Sequence, residues 1–333
     1  MRRILHVAAA ALLAFAAAAV AAEPAPPIRF GVPWPPGSKA MTDLQAVARN
    51  LAQRTEDRVR LKFVEQLDLD AGTVPCDGAL LLGEGLFRRS SAARVLALPR
   101  LARNAEEVAA LLAALSGEIA ADLEQADLQM IAGLDLGFAY LFAVRPVALP
   151  EDLPALRFWT LPAEPGDLRI AESFGVKLVP LEVAAVRDAL HDGKIDALLA
   201  PPLGAILMQW HVEVRHVLDL PLVDLAGVAA LRRAAMERLT PSDRVLVRDA
   251  LAQAFAALAA DARRQEPESL DVIALQGAGR TTVAAGSAGR AAWDAWGVSV
   301  SDRLAAAGLV PAEPLALARR TLSSRRQEGG TEP

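Results

Sequence analysis

The chain has 333 residues, 53% of them hydrophobic, and 40 acidic side chains against 35 basic ones, a formal charge of -5. That sign is wrong for a phosphate-backbone partner, so nucleic acid binding is not expected. The one cysteine, Cys76, excludes an intramolecular disulfide and leaves no cysteine near the start to carry a lipid.

In chain order, Arg2 and Arg3 precede an apolar stretch from Val7 to Val20, followed by Ala21, Ala22 and then Pro24, Pro26 and Pro27. The pattern predicts a secretory leader over residues 1–22, cut after Ala21 or Ala22. The stretch is shorter than the roughly 20 residues of a membrane-spanning helix. The expected product is periplasmic, with no direct insertion in a membrane. Its length, roughly 310 residues, suggests two domains.

Ile28–Val32 reads as a buried strand. Trp34-Pro35-Pro36-Gly37 reads as a turn, and Ser38 as the N-cap of a helix with Met41, Leu44, Val47 and Leu51 on one face. Val59, Leu61 and Phe63 alternate with Arg60 and Lys62 and predict a strand with one buried face. A further strand is expected over Asp77–Leu82. Asn104 and Glu107 form a capping-box pattern before Val108, Leu111, Leu112, Leu115 and Ile119. Strands are predicted over 128–134, 140–144, 156–161, 176–179 and 195–199, with a helix from Glu182 to His191. Thr240-Pro241 opens the longest helix, carried by Val245, Leu246, Leu251, Phe255 and Leu258 to about Arg264. Trp293, Trp296 and Leu304 mark one more helical region, and residues 319–333 read as a disordered tail. Alternating strands and helices point to an α/β fold with a sheet covered by helices.

No metal site or cofactor is expected. His211 and His216 are five apart without a completing cluster, and Gly277-Ala278-Gly279 lacks a dinucleotide fingerprint. His191 before Gly193 reads as a helix-end residue. No set of acid, base and nucleophile emerges, so the chain is not expected to be an enzyme.

Several segments, in order, resemble the solute-binding proteins of tripartite ATP-independent periplasmic (TRAP) transporters. They are Asp77-Gly78-Ala79; Ala97-Leu98-Pro99-Arg100-Leu101 with Glu106-Glu107-Val108; Arg145-Pro146; and Pro150-Glu151-Asp152-Leu153 through Leu156-Arg157. Phe174-Gly175-Val176, Val179-Pro180-Leu181-Glu182-Val183, Ala189-Leu190, Gly193 and Ile195-Asp196 continue the pattern. The resemblance implies a two-lobed, type II-like periplasmic-binding-protein fold with hinge-crossing strands and a long spanning helix. Lobe I would take 27–140 plus about 220–250, and lobe II 141–219 plus about 251–312. It also implies capture of a small organic ligand in an interlobe cleft by hinge closure, and delivery to membrane permease subunits.

Three positions depart from that pattern. The resemblance sets a carboxylate-gripping arginine at Trp159, a second arginine at Ala139 after Gly137-Phe138, and an asparagine at Ala200 before Pro201. Losing these polar groups argues against a small carboxylate held by arginine. A neutral, aromatic or lipid-like ligand is expected instead, with Trp34, Phe138, Tyr140, Trp159 and Trp210 as candidate walls, each of which could equally serve the core. Arg145 is a candidate for restoring a cationic grip, or for a salt bridge at the hinge. Glu84 and Asp135 sit near predicted strand ends, suited to a ligand hydroxyl or amine or to solvent. The alternative function is a periplasmic carrier of apolar molecules, or a degenerate adaptor for an envelope transporter. A dry, enclosed pocket distinguishes a binding protein from an adaptor with a filled cleft.

Overall fold

The computed structural model describes residues 26–66, 69, 75–162 and 175–328. The predicted leader, Phe174 of the family-like segments and the last five residues of the predicted tail lie outside them. The chain opens as expected, with β1 (Ile28–Val32), α1 (Lys39–Arg54), β2 (Leu61–Glu65) and β3 (Gly78–Leu82). Ser38 caps α1 by accepting from Met41 N at 3.2 Å, and the stripe Met41, Leu44 and Leu51 is buried. Each such side chain contributes about 1.5–3 kcal/mol of apolar burial. After the short α2 (Gly83–Phe87), α3 (Ala105–Gln125) begins at Asn104, whose Oδ1 accepts from Glu107 N at 2.9 Å.

The two long strands β4 (Leu128–Ala143) and β8 (His216–Arg232) pair antiparallel through the centre of the sheet. Between them in sequence lie β5 (Arg157–Thr160), β6 (Lys177–Pro180), α4 (Val186–His191), β7 (Ala197–Ala200) and α5 (Pro202–Leu207). After β8 come α6 (Arg233–Glu237), α7 (Pro241–Leu275), β9 (Gly279–Thr282), α8 (Ala288–Ala306) and α9 (Ala312–Glu328). The sheet order is β2-β1-β3-β8-β4-β7-β5-β6, with β9 on β8. β3 pairs residues 227–231 of β8, whereas β7 pairs residues 140–143 of β4. The long pair therefore joins two strand groups at opposite ends, which is the two-lobed arrangement.

The strands expected over 128–134 and 140–144 form one strand, β4. Its pairing with β8 shifts register between Asp135 and Phe138, and Gly137 there has φ +94°. A Cβ at Gly137 would stand 2.7 Å from Glu266 Oε2, so both the backbone twist and the close approach of that carboxylate require glycine. β8 itself escapes the sequence reading because Pro221 interrupts an almost continuous apolar run. The proline falls within a second shift of register, where the ladder omits it.

α7 starts as predicted: Thr240 accepts from Asp243 N at 3.2 Å and Pro241 occupies the first turn. It does not stop near Arg264 but continues through Pro267 to Leu275. Buried Ser269, Leu270 and Ile273 extend the packed stripe beyond the proline, so tertiary contacts outweigh the missing backbone donor. The tail is corrected as well. Residues 319–328, expected to be disordered, belong to α9, whose Leu315, Ala318 and Leu322 are buried against the core. Arg326 grips Glu107 of α3 with both Nε and Nη2 at 2.7 Å.

The apolar core has three parts. Phe30, Phe63 and Phe255 anchor one between the first strands, α1 and α7. Trp293, Phe158, Leu153 and Leu218 anchor a second around the lobe at the other end. A third includes Leu111 and Leu115 of α3 and continues through Phe142 and Leu198.

Candidate functional site

Most of the residues that make up the family-like motifs hold the scaffold. Asp77 Oδ2 accepts from Arg29 N at 2.8 Å, and Gly78 is forced by crowding, since a Cβ there would lie 2.5 Å from Leu231 Cδ2 and 2.6 Å from the Ala230 carbonyl. Asp152 receives Ala148 N and Leu149 N, and these backbone donors hold its carboxyl below the ordinary carboxylate range. Arg157 and Asp196 form a two-pronged pair at 2.7 Å for each bond, tying β5 to the start of β7. Arg100 sits with its guanidinium fully buried, donating to Asp294 at 2.9 and 2.8 Å and to the Pro221 carbonyl at 2.8 Å.

Two adjoining cavities lie between the strand groups. The larger, about 620 Å³, is walled by Trp159, Trp293, Trp296, Phe158, Leu199 and Leu222, among others. Its charged lining residues are Glu84 and Arg94, which pair with each other at 3.5 Å, and the Arg94 guanidinium also lies 5.5 Å from the Phe87 ring centre. The smaller, about 380 Å³, is lined by Trp34, Leu136, Leu207, Asp224 and Glu266; both cavities touch Gly83, Phe87 and Ala97. These volumes suit small organic ligands.

Of the predicted wall residues, Trp159 lines the larger cavity and Trp34 the smaller. The Trp159 indole donates to the Leu181 carbonyl at 2.9 Å and packs on Trp210, ring centres 5.1 Å apart, so Trp210 backs the wall from the buried side. Phe138, Ala139, Tyr140 and Ala200 are buried in β4 and β7 and line neither cavity. Arg145 is exposed and outside both cavities; its charge acts on Asp152 and Asp196. His191 stands 3.3 Å from Glu213, and His211 is held by the Ala205 carbonyl and Gln276.

Behind the smaller cavity lies a charged cluster. Arg263 on α7 stacks over the Phe138 ring at 4.4 Å and bonds Asp135 Oδ2, Asp224 Oδ1 at 3.2 Å and Glu266 Oε2 at 3.3 Å. Glu266 also receives Phe138 N at 2.7 Å and the Tyr140 hydroxyl at 2.9 Å. Asp135 Oδ1 receives Gly137 N at 3.0 Å. Burial, and then the Asp135 carboxylate beside it, push the Asp224 carboxyl up to about 9 against the pull of Arg263. Burial and the Glu266 carboxylate likewise push the Tyr140 phenol up.

The sequence profile of the bacterial extracellular solute-binding proteins, family 7, matches residues 31–304. The chain belongs to this family, the solute-binding proteins of TRAP transporters. Among curated proteins, no sequence matches it. Solved structures agree on the fold. The Bordetella pertussis extracytoplasmic solute receptor DctP7, which binds pyroglutamic acid, aligns at TM-score 0.74 and 20% identity over 89% of this chain and 100% of its own. A TRAP solute-binding protein of Ralstonia eutropha with bound (S)-2-acetolactate aligns at TM-score 0.77 and 19% identity over 89% and 98%. One from Sulfitobacter with bound β-D-galacturonate aligns at 0.73 and 15% over 88% and 99%.

As a TRAP-family member, this chain has the fold of transport receptors and not of enzymes. Among its described residues no helix is long and apolar enough to cross a membrane. Sequence reading missed the cluster around Arg263. Asp135 was visible as an acidic residue at a strand end, but Asp224 lay in an unrecognised strand and Glu266 beyond the expected end of α7. The hint available was Arg263 and Glu266 at helical spacing on an otherwise apolar stripe.

Proposed function

We propose that the protein is a periplasmic TRAP receptor that closes on a small organic ligand with an apolar body, without an arginine–carboxylate grip, and delivers it to membrane permease subunits. The lobes divide as the resemblance implies, near residue 140, with the later segments shared between them. The observation that carries this reading is the larger cavity, where Trp159 occupies the position of the expected arginine and is backed by Trp210. A carboxylate entering it would meet only Arg94 among the described lining cations, already paired with Glu84. An aromatic or aliphatic group gains from the same walls.

The relatives from Bordetella, Ralstonia and Sulfitobacter hold organic acids. Replacing the two-pronged guanidinium donor by an indole whose N–H is already used argues for a different ligand class here. The cleft is not filled by side chains, which favours a receptor over an adaptor. Native mass spectrometry of protein purified from the periplasm, with organic extraction and thermal-shift screening, tests the reading. The expected result is a co-purified molecule without a carboxylate and no stabilisation by small carboxylates. Strong stabilisation of the unaltered protein by a small carboxylate overturns it.

A further inference from the structure

The two cavities adjoin, and what stands between them is slight. Gly83, Phe87 and Ala97 line both. Gly83 has no side chain, and a Cβ built there would meet no atom within 4 Å. Ala97 contributes a single methyl group. Phe87 is the one bulky side chain of the three, half-buried, with the Arg94 guanidinium 5.5 Å from its ring centre.

Size and lining restrict what can occupy this space. The cavities hold about 620 and 380 Å³, and each alone reaches the range that encloses a small organic molecule. A compact ligand in one would leave the apolar walls of the other facing water. Those walls offer few free polar groups. Trp159 and Trp293 use their indole N–H groups on the Leu181 and Ala148 carbonyls, both at 2.9 Å. Glu84 is paired with Arg94, and Asp224 and Glu266 are engaged by Arg263.

We propose that the cleft takes an unbranched aliphatic chain with a neutral polar end, the chain running through both cavities past Phe87. The inference rests on the reading of the cleft as a site for an apolar ligand, and it adds the shape of that ligand. A chain is slender enough to cross a boundary made by a glycine, an alanine and one ring, whereas a fused-ring or branched body of the same volume stays on one side. It also carries no polar atoms that the walls would leave without partners. A carboxylate at its end would have to displace Glu84 from Arg94, while a hydroxyl or amide end leaves that pair intact.

Each methylene moved from water into such walls strengthens binding about fourfold until the available length is filled. The test is a series from 1,2-hexanediol to 1,2-dodecanediol, titrated by displacement of an apolar fluorescent dye and checked for one-to-one binding by native mass spectrometry. Pyroglutamate serves as the small carboxylate. Two variants accompany the unaltered protein. Ala97→Phe adds a ring at the boundary, and Ala262→Phe adds one from α7 into the smaller cavity. Either decides the matter alone if the other does not fold, and retained hexanediol binding shows that the cleft is intact.

Affinity is expected to climb through dodecanediol in the unaltered protein. Each variant is expected to weaken dodecanediol at least tenfold and hexanediol less than threefold, the loss of two or more methylene contacts setting the first figure. A gain that stops at the short diols, or that survives in a folded variant, overturns the spanning chain and leaves the apolar cleft standing. Tightest binding of pyroglutamate, or no binding of any diol, overturns the chain and the cleft reading together.

Discussion

Asp224→Asn should change how stability depends on pH. Asp224 carries a carboxyl whose ordinary value of 3.8 is raised to about 9 by burial and by Asp135. A raised acid means that between those values the folded protein keeps a proton the unfolded chain has given up, so stability falls as pH rises through that window. The slope is about 1.4 kcal/mol per pH unit for one proton, accumulating to about 4 kcal/mol by pH 7. Asparagine is neutral at every pH, can accept from Arg263 and can donate to Asp135 as the protonated acid does, so it keeps the bonds without the linkage. Urea denaturation at pH 5, 6, 7 and 8 at fixed ionic strength measures the difference between the two proteins, in which every other titrating group cancels. The variant should gain on the parent by that same slope, about 1.4 kcal/mol per pH unit. Parallel stability curves over that range would refute the reasoning, because they would mean that Asp224 is ionised in the folded protein.

Gly78→Ala should cost about 1–3 kcal/mol by urea denaturation, since the new Cβ would press on Leu231 and on the Ala230 carbonyl in the middle of the sheet. Leu322→Ala should cost about 2–4 kcal/mol, because the side chain is 1% exposed within α9; no change in the same assay would return residues 319–328 to a disordered tail. Trp159→Arg should lower thermal stability modestly, through loss of the Trp210 contact and the bond to Leu181. It should also introduce stabilisation by small carboxylates that the parent lacks, and its failure to do so in a thermal-shift series would place the family-type grip elsewhere.

What could be read from the sequence was local. Ser38, Asn104 and Thr240 cap helices where their side chains and the following apolar stripes said they would. Strand β2 follows from the alternation of apolar and charged residues. The long strands were less legible because they obey two environments at once. β4 passes a polar and glycine-containing stretch at Asp135–Gly137 that looks like a break, and β8 contains Pro221 in a stretch without clean alternation. α9 was hidden by its charge: Arg319, Arg320, Arg325 and Arg326 suggest solvent, and only the partner Glu107 on α3 and the buried Leu322 make the segment a packed helix. Trp34 and Trp159, which stand after a strand end and within a family-like motif, line the two cavities. The cluster of Asp135, Asp224, Arg263 and Glu266 joins β4, β8 and α7, and no local pattern encodes a meeting of residues so far apart.

The motif residues and the ligand-facing positions are under different physical constraints. Asp196 cannot be lost without leaving the Arg157 guanidinium and backbone donor unpaired, and Asp77 holds both Arg29 N and the Arg238 side chain. Trp159, two residues from Arg157 on β5, satisfies its one donor at the Leu181 carbonyl and packs its rings on Trp210, so its place in the scaffold is met without a charged partner. Ala139 and Ala200 are small buried residues that complete the sheet and line neither cavity. Ligand chemistry can therefore change while the motifs and the fold persist. That is why a TM-score of 0.77 at 19% identity speaks for the fold, while the walls of the two cavities must speak for the ligand.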